Sequence, residues 1–503
     1  MMKKFTAYSF LVAMMLLMPL MSCTEKLHDI TKAEGIPDIY PDYVGVTIPV
    51  GIAPLNFNAM GNISNAYVEL KGSVTGEVMT ASGLCADFNI ERWHKLTEAN
   101  KGGQLDVTVY VKSEGQWKQY DPFPIYVSDM PLEAWGLTYR RIAPGYEVYG
   151  VMGIYQRNLS NFEESIIFKT TQAPGACVNC HTSRATIPDR FTFHVRGANG
   201  ATLVSLDGHR EWLKARNDSI GGSMVYPYWH PSGKYCAYST NMTSLGFHAV
   251  AEERIEVLDQ TSDVFVYNPA THELILDSLL MTPDHLETYP VFSPDGTTLY
   301  FCSSDIQPIP EGYKNIRYNI CKIDFDADRG AFGNRIDTVF NASALSKSAI
   351  HPRPSYDGKY IMFTLSDYGC FPIWHREADN WLLDLTTGEA RPMDEANSDD
   401  TDSWHNWSAD SHWFVFTSRR DDGLHTRLYI ASVDDEGHIS KPFMLPQKNP
   451  WKYYDRLLQS YNTPDFTARQ VEFDARQAGI EILSDKRIPT TIKRTHILDG
   501  KNK

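Results

Sequence analysis

The sequence predicts an all-β protein in which a β-propeller follows a small β-sandwich. Three observations lead to this prediction. The chain of 503 residues is too long for one ordinary core, so several domains or a repeat architecture are expected. Aromatic residues make up 12% of the chain, which suits strands better than helices. From about residue 220 onward, a pattern of strands and turns recurs at an interval typical of propeller blades.

The first 22 residues have the features of a signal peptide. Residues 1–4 (MMKK) are positively charged, and residues 10–20 form an apolar run that is too short to span a membrane as a helix. The run ends at LMSC, residues 20–23, which resembles the lipobox of bacterial lipoproteins. This resemblance implies that Cys23 is lipidated and anchors the protein in the cell envelope, with the outer membrane expected. An ordinary secretory signal is the alternative.

Residues 23–40 are expected to form a tether, and residues 41–130 a separate β-rich domain. Within that domain, segments 66–72, 105–111 and 123–128 alternate apolar and polar residues, and turn-forming residues lie between them. The length of this domain and the spacing of its strands predict a small immunoglobulin-like sandwich.

Residues 221–450 contain four windows that share a short strand, a tight turn and an alternating apolar strand. The windows are 226–241, 289–304, 351–366 and 405–420. Gly233, Gly296 and Gly358 are expected to supply the positive φ that closes each turn, and Ser411 takes the same place in the fourth window. These positions are 63, 62 and 53 residues apart, about the length of one four-stranded blade with its loops.

The turn at residues 293–296 reads Ser-Pro-Asp-Gly, and the other three turns match this pattern in part. The windows therefore resemble the TolB-type propeller repeat. A closed ring of this type usually has six blades, which implies that the remaining blades come from residues 140–220 and 450–503. We accordingly assign residues 131–220 to the first propeller strands, 221–450 to the recognisable blades and 451–503 to a closing segment.

The segment APGACVNCHTS, residues 173–183, contains the pattern C-x-x-C-H at Cys177, Cys180 and His181. This is the attachment pattern of c-type haem, in which the two thiols add across the vinyl groups and the histidine binds the iron from the proximal side. The expected compartment agrees, because c-type haem is attached outside the cytoplasmic membrane. The sequence thus predicts one covalent haem c in the segment 131–220.

Three other uses of the cysteine pair stay open. A thioredoxin-like redox pair needs a helix start in a βαβ setting, and no helical periodicity follows the motif. A zinc site needs further ligands, and no second C-x-x-C or H-x₃-H lies nearby. A structural disulfide is the third use. Elsewhere, Cys302 and Cys321 lie in successive predicted strands and can either pair or remain buried thiols.

Two residues flanking the motif are candidates for the sixth ligand of the haem iron. Met152 would raise the reduction potential and suit electron transfer, whereas His194 would lower it. Each of these two residues can also be an ordinary strand residue that does not bind iron. Among the arginines near the motif, Arg157, Arg184 and Arg196 are candidates for pairing with haem propionates.

The segment 138–182 together with the later propeller resembles a group of bacterial lipoproteins that carry TolB-like repeats and a single C-x-x-C-H motif. Proteins of this group are often labelled cytochrome c biosynthesis proteins or TolB-like proteins. The resemblance covers most of the chain. It is specific only at the repeat turns and at Cys23, Cys177, Cys180 and His181.

Charge and missing motifs limit the function further. The formal net charge is −15, and it becomes −17 without the first 22 residues, which argues against nucleic acid as a partner. No G-x-S-x-G nucleophile motif occurs, so serine hydrolysis is not expected. The prediction is electron transfer or haem-dependent redox chemistry, with the propeller docking a protein partner. The alternative is a non-enzymatic scaffold that binds protein or glycan and uses the cysteine pair as a disulfide or metal clip.

Overall fold

The computed structural model of this protein describes residues 27–144, 150–214, 219–220, 224–248, 254–484 and 486–496. The expected signal peptide, residues 1–22, and the expected lipidation site, Cys23, lie outside the described residues, so both stay predictions. Among the described residues, no helix has the length and apolar character needed to cross a membrane.

Ten strands and one helix form the N-terminal domain. They are β1 (Thr31–Lys32), β2 (Ile39–Tyr40), β3 (Thr47–Ile48), β4 (Phe57–Ala59), β5 (Asn65–Gly72), β6 (Val78–Ser82), β7 (Cys85–Ala86), α1 (Ile90–Ala99), β8 (Gln104–Ser113), β9 (Gln116–Gln119) and β10 (Phe123–Val127). Strands β2, β4 and β7 make a small sheet, and the other seven make a larger one centred on β8. The predicted sandwich is therefore present.

Alternating burial explains the long strands of the sandwich. In β5 and β8 every second residue is buried, so one face of the sheet contributes side chains such as Val68 and Val107 to the core. Two features were not predicted. Helix α1 is capped by Asn89, whose side chain accepts from the backbone N–H of Arg92, and it buries Trp93. Within the expected tether 23–40, β1 and β2 pair with the sandwich sheets.

The rest of the chain forms twenty-six further strands and two short helices among the described residues. The first half comprises β11 (Gly136–Ile142), β12 (Gly153–Asn158), β13 (Glu164–Lys169), β14 (Cys177–Arg184), β15 (Ile187–Arg196), β16 (Ala201–Leu206), β17 (His209–Lys214), β18 (Val225–Trp229), β19 (Cys236–Phe247), β20 (Ile255–Asn268), β21 (Glu273–Leu276), β22 (His285–Phe292), β23 (Thr298–Asp305), β24 (Asn319–Asp326) and β25 (Ala331–Phe340). The second half comprises β26 (Ser348–Pro354), β27 (Tyr360–Ser366), β28 (Asp379–Asp384), β29 (Ala390–Pro392), β30 (Asp402–Trp407), β31 (Trp413–Ser418), β32 (Arg427–Ser432), β33 (Phe443–Met444), α2 (Pro450–Arg456), β34 (Ser460–Thr467), α3 (Ala475–Ile482), β35 (Ile488–Pro489) and β36 (Thr491–Arg494).

These strands form a propeller ring, which in the described residues consists of six sheets. Blade 1 has the order β13-β12-β11-β34, and blades 2 to 6 begin at β14, β18, β22, β26 and β30 and run outward in chain order. The strands β14, β18, β22, β26, β30 and β34 are the innermost ones, and each contacts the next around the ring until β34 meets β14. The chain is thus all-β with a TolB-like propeller, as predicted.

A strand from the C-terminal part of the chain closes the ring. Strand β34 pairs antiparallel with β11, so blade 1 combines residues from both ends of the propeller sequence. The two last strands lie at outer edges, where β35 pairs in parallel with β17 and β36 in parallel with β21. Blades 1 and 2, for which the sequence pattern is weak, are built from strands β11 to β17 together with β34 and the edge strand β35.

The four predicted turns have the predicted backbone conformation. The φ angles are 71° at Gly233, 76° at Gly296, 76° at Gly358 and 63° at Ser411, all in the left-handed region. In the last three of these turns the first serine donates its hydroxyl to the aspartate two residues later, at 2.5 to 2.7 Å. The positive φ prediction is therefore confirmed at all four positions.

The sandwich packs against blade 6 and shares one core cluster with it. The Tyr43 hydroxyl donates to the carbonyl oxygen of Met444 at 3.1 Å, and the Trp413 indole N–H donates to the carbonyl oxygen of Pro131 at 3.0 Å. These polar contacts hold the sandwich, and the segment that follows it, against the side of the ring.

Candidate functional site

The C-x-x-C-H motif lies in β14, the innermost strand of blade 2. Side chains alternate along a regular strand, so residues 177 and 180 would face opposite sides. The strand is not regular here. Cys180 has a φ of 55°, and the pairing with β15 is interrupted between Asn179 and Thr182. This bulge turns Cys180 so that both cysteines reach the same cavity.

The same irregularity occurs in all six innermost strands. Each strand has a register break at which one residue other than glycine has a φ between 45° and 55°. These residues, which we call the collar, are Cys180, Tyr226, Tyr289, His351, Trp404 and Thr463. The C-x-x-C-H motif therefore coincides with the structural repeat of the propeller: Cys180 occupies the position that Tyr226 has in the next blade.

Aromatic rings fill much of the collar. The ring centroids of Tyr226 and Tyr289 are 4.2 Å apart, those of Tyr289 and His351 are 4.4 Å apart, and those of His351 and Trp404 are 3.8 Å apart. Four collar residues, Cys180, Tyr226, Trp404 and Thr463, border two separate cavities. The collar thus separates a larger cavity from a smaller one.

The larger cavity, which we call the mouth cavity, has a volume of about 410 Å³. Cys177, Cys180 and Met152 bring three sulfur atoms to its wall. Most of the remaining wall is apolar, and among its apolar residues are Ile142, Leu245, Phe247, Ile255, Val257, Phe371, Ile373, Trp374 and Trp404. An apolar cavity of this kind is suited to a mainly hydrophobic ligand.

Both cysteines of the motif are free thiols. The side-chain amide of Asn179 donates to Cys177 Sγ at 3.1 Å, and Arg140 Nη2 donates to the same sulfur at 3.8 Å. Burial raises the pKa of the Cys180 thiol. Both thiols thus face the mouth cavity without a disulfide between them.

The other described cysteines are free as well, so Cys302 and Cys321 do not pair. In the register of β23 and β24, Cys321 lies opposite Phe301 rather than Cys302. Because side chains one position apart point to opposite faces of a sheet, the two sulfurs face away from each other.

His181 lies outside the mouth cavity. Its ring is 5% exposed and borders the small cavity beneath the collar, whose volume is about 30 Å³. The Nε2 atom is 3.1 Å from the hydroxyl oxygen of Thr138 in β11, and burial lowers the pKa of the imidazole to about 4. Nδ1 has no hydrogen-bond partner among the described residues. The bulge at Cys180 thus directs the histidine away from the cavity that the thiols share.

The two candidates for the sixth ligand have different positions. Met152 is buried in the wall of the mouth cavity, and its sulfur accepts from Arg140 Nη2 at 3.4 Å. His194 is buried in β15, its Nδ1 lies 2.9 Å from the hydroxyl of Thr202, and it is not part of the cavity wall. The structure therefore brings Met152, and not His194, together with the thiols.

Of the three arginines singled out in the sequence, only Arg196 lines the mouth cavity. Arg184 instead pairs with Asp189 at 2.5 Å, and Arg157 donates to the side chain of Gln447 at 2.9 Å. Sequence reasoning missed Arg140, which also lines the cavity. No signal near the motif indicates Arg140, because it is 37 residues before Cys177 and reaches the site through the packing of blade 1 against blade 2.

Asp465 is a second residue that sequence reasoning missed. It lies in β34, where Oδ2 accepts from the backbone N–H of Ser183 at 3.2 Å and from the Thr182 hydroxyl at 3.2 Å, while Oδ1 accepts from the Asn406 amide at 2.9 Å. Burial raises its pKa to about 6. The carboxyl group thus joins the innermost strands of blades 2, 1 and 6 below the collar.

Comparisons with known proteins find similarity of fold and no similarity of sequence at the family level. No family model matches the chain, and no curated protein is similar to it at a significant level. Among solved structures, a protein of Agrobacterium tumefaciens named as a TolB shares 14% identity over 63% of this chain and 93% of its own, with a TM-score of 0.36. An oligogalacturonate lyase in complex with manganese shares 13% identity over 61% and 74%, with a TM-score of 0.36. A puromycin-hydrolyzing peptidase of Mycobacterium tuberculosis shares 11% identity over 80% and 57%, with a TM-score of 0.34.

Proposed function

We propose that this protein is an envelope-anchored electron-transfer protein that carries one covalent haem c in the mouth cavity. The observation that carries the proposal is the convergence of the two motif thiols on one apolar cavity. Cys177 and Cys180 are both free, and the bulge of β14 puts both in its wall. The spacing of the motif is the one used for thioether attachment of haem.

The residues present fit attachment of a haem better than they fit iron ligation by His181. Each thiol would add across one vinyl group, with a new carbon–sulfur bond and transfer of the thiol proton to the neighbouring carbon, so no external oxidant is needed. Met152 supplies a sulfur in the same wall. His181 is held at Thr138 outside the cavity, so its ligation rests on the sequence pattern alone.

A bound haem would supply a one-electron couple, and the chain controls its surroundings. The cavity wall is mainly apolar and aromatic, and apolar surroundings together with a methionine ligand raise the reduction potential. Electron transfer therefore accounts for the site better than hydrolysis, for which the sequence has no nucleophile motif. The partner would be a redox protein that docks on the propeller, and the anchor would be the lipid on Cys23.

One observation favours a second candidate function. Because His181 is buried away from the thiols, the chain also fits a non-enzymatic propeller that binds protein or glycan without haem. The cysteine pair would then act as a clip, by disulfide formation or metal binding.

Haem staining of a denaturing gel distinguishes these two functions. The protein is made in a host with the haem-attachment machinery, and the electron-transfer proposal predicts peroxidase staining that survives denaturation. Cys177→Ala and Cys180→Ala should each reduce the stain, and the double variant should abolish it. Cys85→Ala, which removes a free thiol in the sandwich, is the control and should keep the stain. A parent protein that does not stain would refute the haem proposal and leave the binding module.

A further inference from the structure

Among the described residues, the wall of the mouth cavity carries positive charge although the chain as a whole is acidic. The protein has 62 Asp and Glu residues against 47 Lys and Arg residues. The described wall of the cavity nevertheless contains three arginines, Arg140, Arg196 and Arg419, and no aspartate or glutamate. This reversal of the overall balance is local to the cavity that contains the thiols.

One of the three arginines has its own counter-ion. Arg419 Nη2 lies 2.7 Å from a carboxylate oxygen of Asp400, and its guanidinium stacks 4.4 Å from the ring centroid of Trp374. Its charge is therefore compensated within the protein. Arg419 serves as an internal comparison for the other two.

Among the described residues, the hydrogen-bond partners of Arg140 are sulfur atoms. Its Nη2 donates to Met152 Sδ at 3.4 Å and to Cys177 Sγ at 3.8 Å, and sulfur is a weak acceptor. The Nε atom is buried without a partner among the described residues. Burial lowers the pKa of the guanidinium from its ordinary value. A charged group in this position is destabilised unless an anion joins it.

Arg196, on the neighbouring strand β15, also lines the cavity without a carboxylate of a described residue in the wall beside it. Arg196 lies directly opposite Cys177 in the register of β14 and β15, and Arg140 donates to the Cys177 sulfur. Both arginines therefore lie beside the same cysteine. The Nε atom of Arg196 is buried without a hydrogen-bond partner among the described residues. Two guanidinium groups thus face one cavity, and no carboxylate of a described residue lies in its wall.

We propose that Arg140 and Arg196 bind the carboxylate groups of a flat, mainly apolar ligand in the mouth cavity. Guanidinium groups bind carboxylates through paired, charge-assisted hydrogen bonds. The aromatic side chains of Tyr226, Trp374 and Trp404 supply the apolar surface for the body of that ligand. The inference rests on the proposed function, in which the carboxylates are the two haem propionates.

Fluorescence titration with mesoporphyrin tests this inference separately from covalent attachment. Mesoporphyrin is a porphyrin dicarboxylate without vinyl groups, so it cannot form thioethers. The full chain, made in cells without the attachment machinery, should bind the diacid on the order of tenfold or more tightly than its dimethyl ester. The double variant Arg140→Gln with Arg196→Gln should lose this preference. Arg184→Gln, which removes an arginine paired with Asp189 outside the cavity, should keep it.

Several outcomes would overturn the proposal. Equal binding of diacid and ester by the parent would show that the cavity does not select carboxylates, and a preference that survives in the double variant would show that other groups do so. Thermal unfolding of the ligand-free variants supplies a second measurement. Because each substitution removes a partly buried charge that has no counter-ion among the described residues, the melting temperature should stay the same or rise. A fall in both single variants would show that these arginines have a counter-ion within the protein.

Dodecanoate, a carboxylate with an aliphatic chain, separates the inference from the proposed function. Binding of mesoporphyrin that depends on Arg140 and Arg196 supports both the carboxylate site and the proposed haem function. Arginine-dependent binding of dodecanoate without binding of mesoporphyrin would keep the carboxylate site and overturn haem as its ligand. Binding of neither probe would overturn the carboxylate site, while haem staining of the parent would still decide the function.

Discussion

The backbone of a single residue, Cys180, decides which side chains share the candidate site. Its left-handed conformation brings Cys177 and Cys180 to one cavity and directs His181 toward Thr138. The sequence pattern could predict that two thiols and an imidazole act together. It could not predict this division, because the bulge arises from the packing of six inner strands around one axis and not from local propensity.

Substitution of the two candidate sixth ligands should give unequal results. In the haem-loaded protein, Met152→Ala should change the reduced spectrum and lower the reduction potential, because it removes a sulfur from the cavity wall. His194→Ala should leave both unchanged, because His194 bonds Thr202 outside the cavity. Visible spectroscopy and a redox titration provide the measurements. A spectrum that responds to His194→Ala alone would show that the ligand assignment is reversed.

His405 should make folding stability depend on pH. Burial, together with the nearby Arg353, lowers its pKa to about 3, whereas the unfolded chain titrates near 6.5. As the pH falls through this range, the unfolded chain binds a proton that the folded chain does not, so stability decreases. When the pH falls from about 7 to about 4.5, the free energy of unfolding of the parent should decrease by on the order of 2 kcal/mol more than that of His405→Gln.

Urea unfolding at the two pH values measures this difference. His438→Gln is the comparison variant, because the His438 side chain is 79% exposed and its pairing with Asp434 at 3.0 Å is screened by solvent, so this substitution should change stability little. A parent and a His405→Gln variant with the same pH dependence would show that His405 takes up a proton over the same pH range in the folded and unfolded chains, and would contradict its lowered pKa.

At the scale of elements, the four repeat turns were the most reliable prediction. Gly or Ser with positive φ closes each hairpin, and the chemistry of such turns is local enough to be identified from sequence. Helix α1 and strands β1 and β2 were not predicted. The helix is amphipathic but only ten residues long, and the two strands have two residues each, so their pairing depends on tertiary contacts.

Two turn glycines should differ in their tolerance of alanine. At Gly358 an added Cβ meets nothing within 4 Å. Gly358→Ala should therefore lower the free energy of unfolding by only about 1–2 kcal/mol, which is the energy of holding a residue with a Cβ in the left-handed conformation. At Gly296 the added Cβ would lie 2.3 Å from Nε2 of His230, which is also 3.0 Å from the Gly296 carbonyl oxygen. Gly296→Ala should therefore be more destabilising. Equilibrium unfolding of both variants checks this order, and equal losses would contradict the clash.

At the scale of the whole molecule, ring closure by β34 should dominate stability. A chain that ends after residue 458 lacks the innermost strand of blade 1, which leaves β11 unpaired on one side. It should show no cooperative thermal transition. A chain that ends after residue 484 lacks only β35 and β36, which pair at the outer edges of blades 2 and 3, and should unfold a few degrees lower than the parent. Equal melting temperatures for the two truncated chains would contradict closure by β34.

The whole-molecule view also explains what the sequence could reveal about the site. The motif cysteines and Met152 lie in one stretch of chain and were identified from pattern and proximity. Arg140 on β11, Trp404 on β30 and Asp465 on β34 reach the centre only because the ring closes. The sequence contains one signal for this arrangement: in three of the four repeat windows the first residue is the collar residue of its blade. Alignment of residue 180 with those positions would have placed the motif on the axis.

The intact mass of the mature polypeptide tests the central claim most directly. In protein from cells able to install haem c, the account predicts a mass that exceeds the polypeptide by one haem and returns to the polypeptide mass in the double variant Cys177→Ala with Cys180→Ala. A parent without the added macrocycle, isolated from such cells, would contradict the claim that the two thiols of the mouth cavity hold a haem.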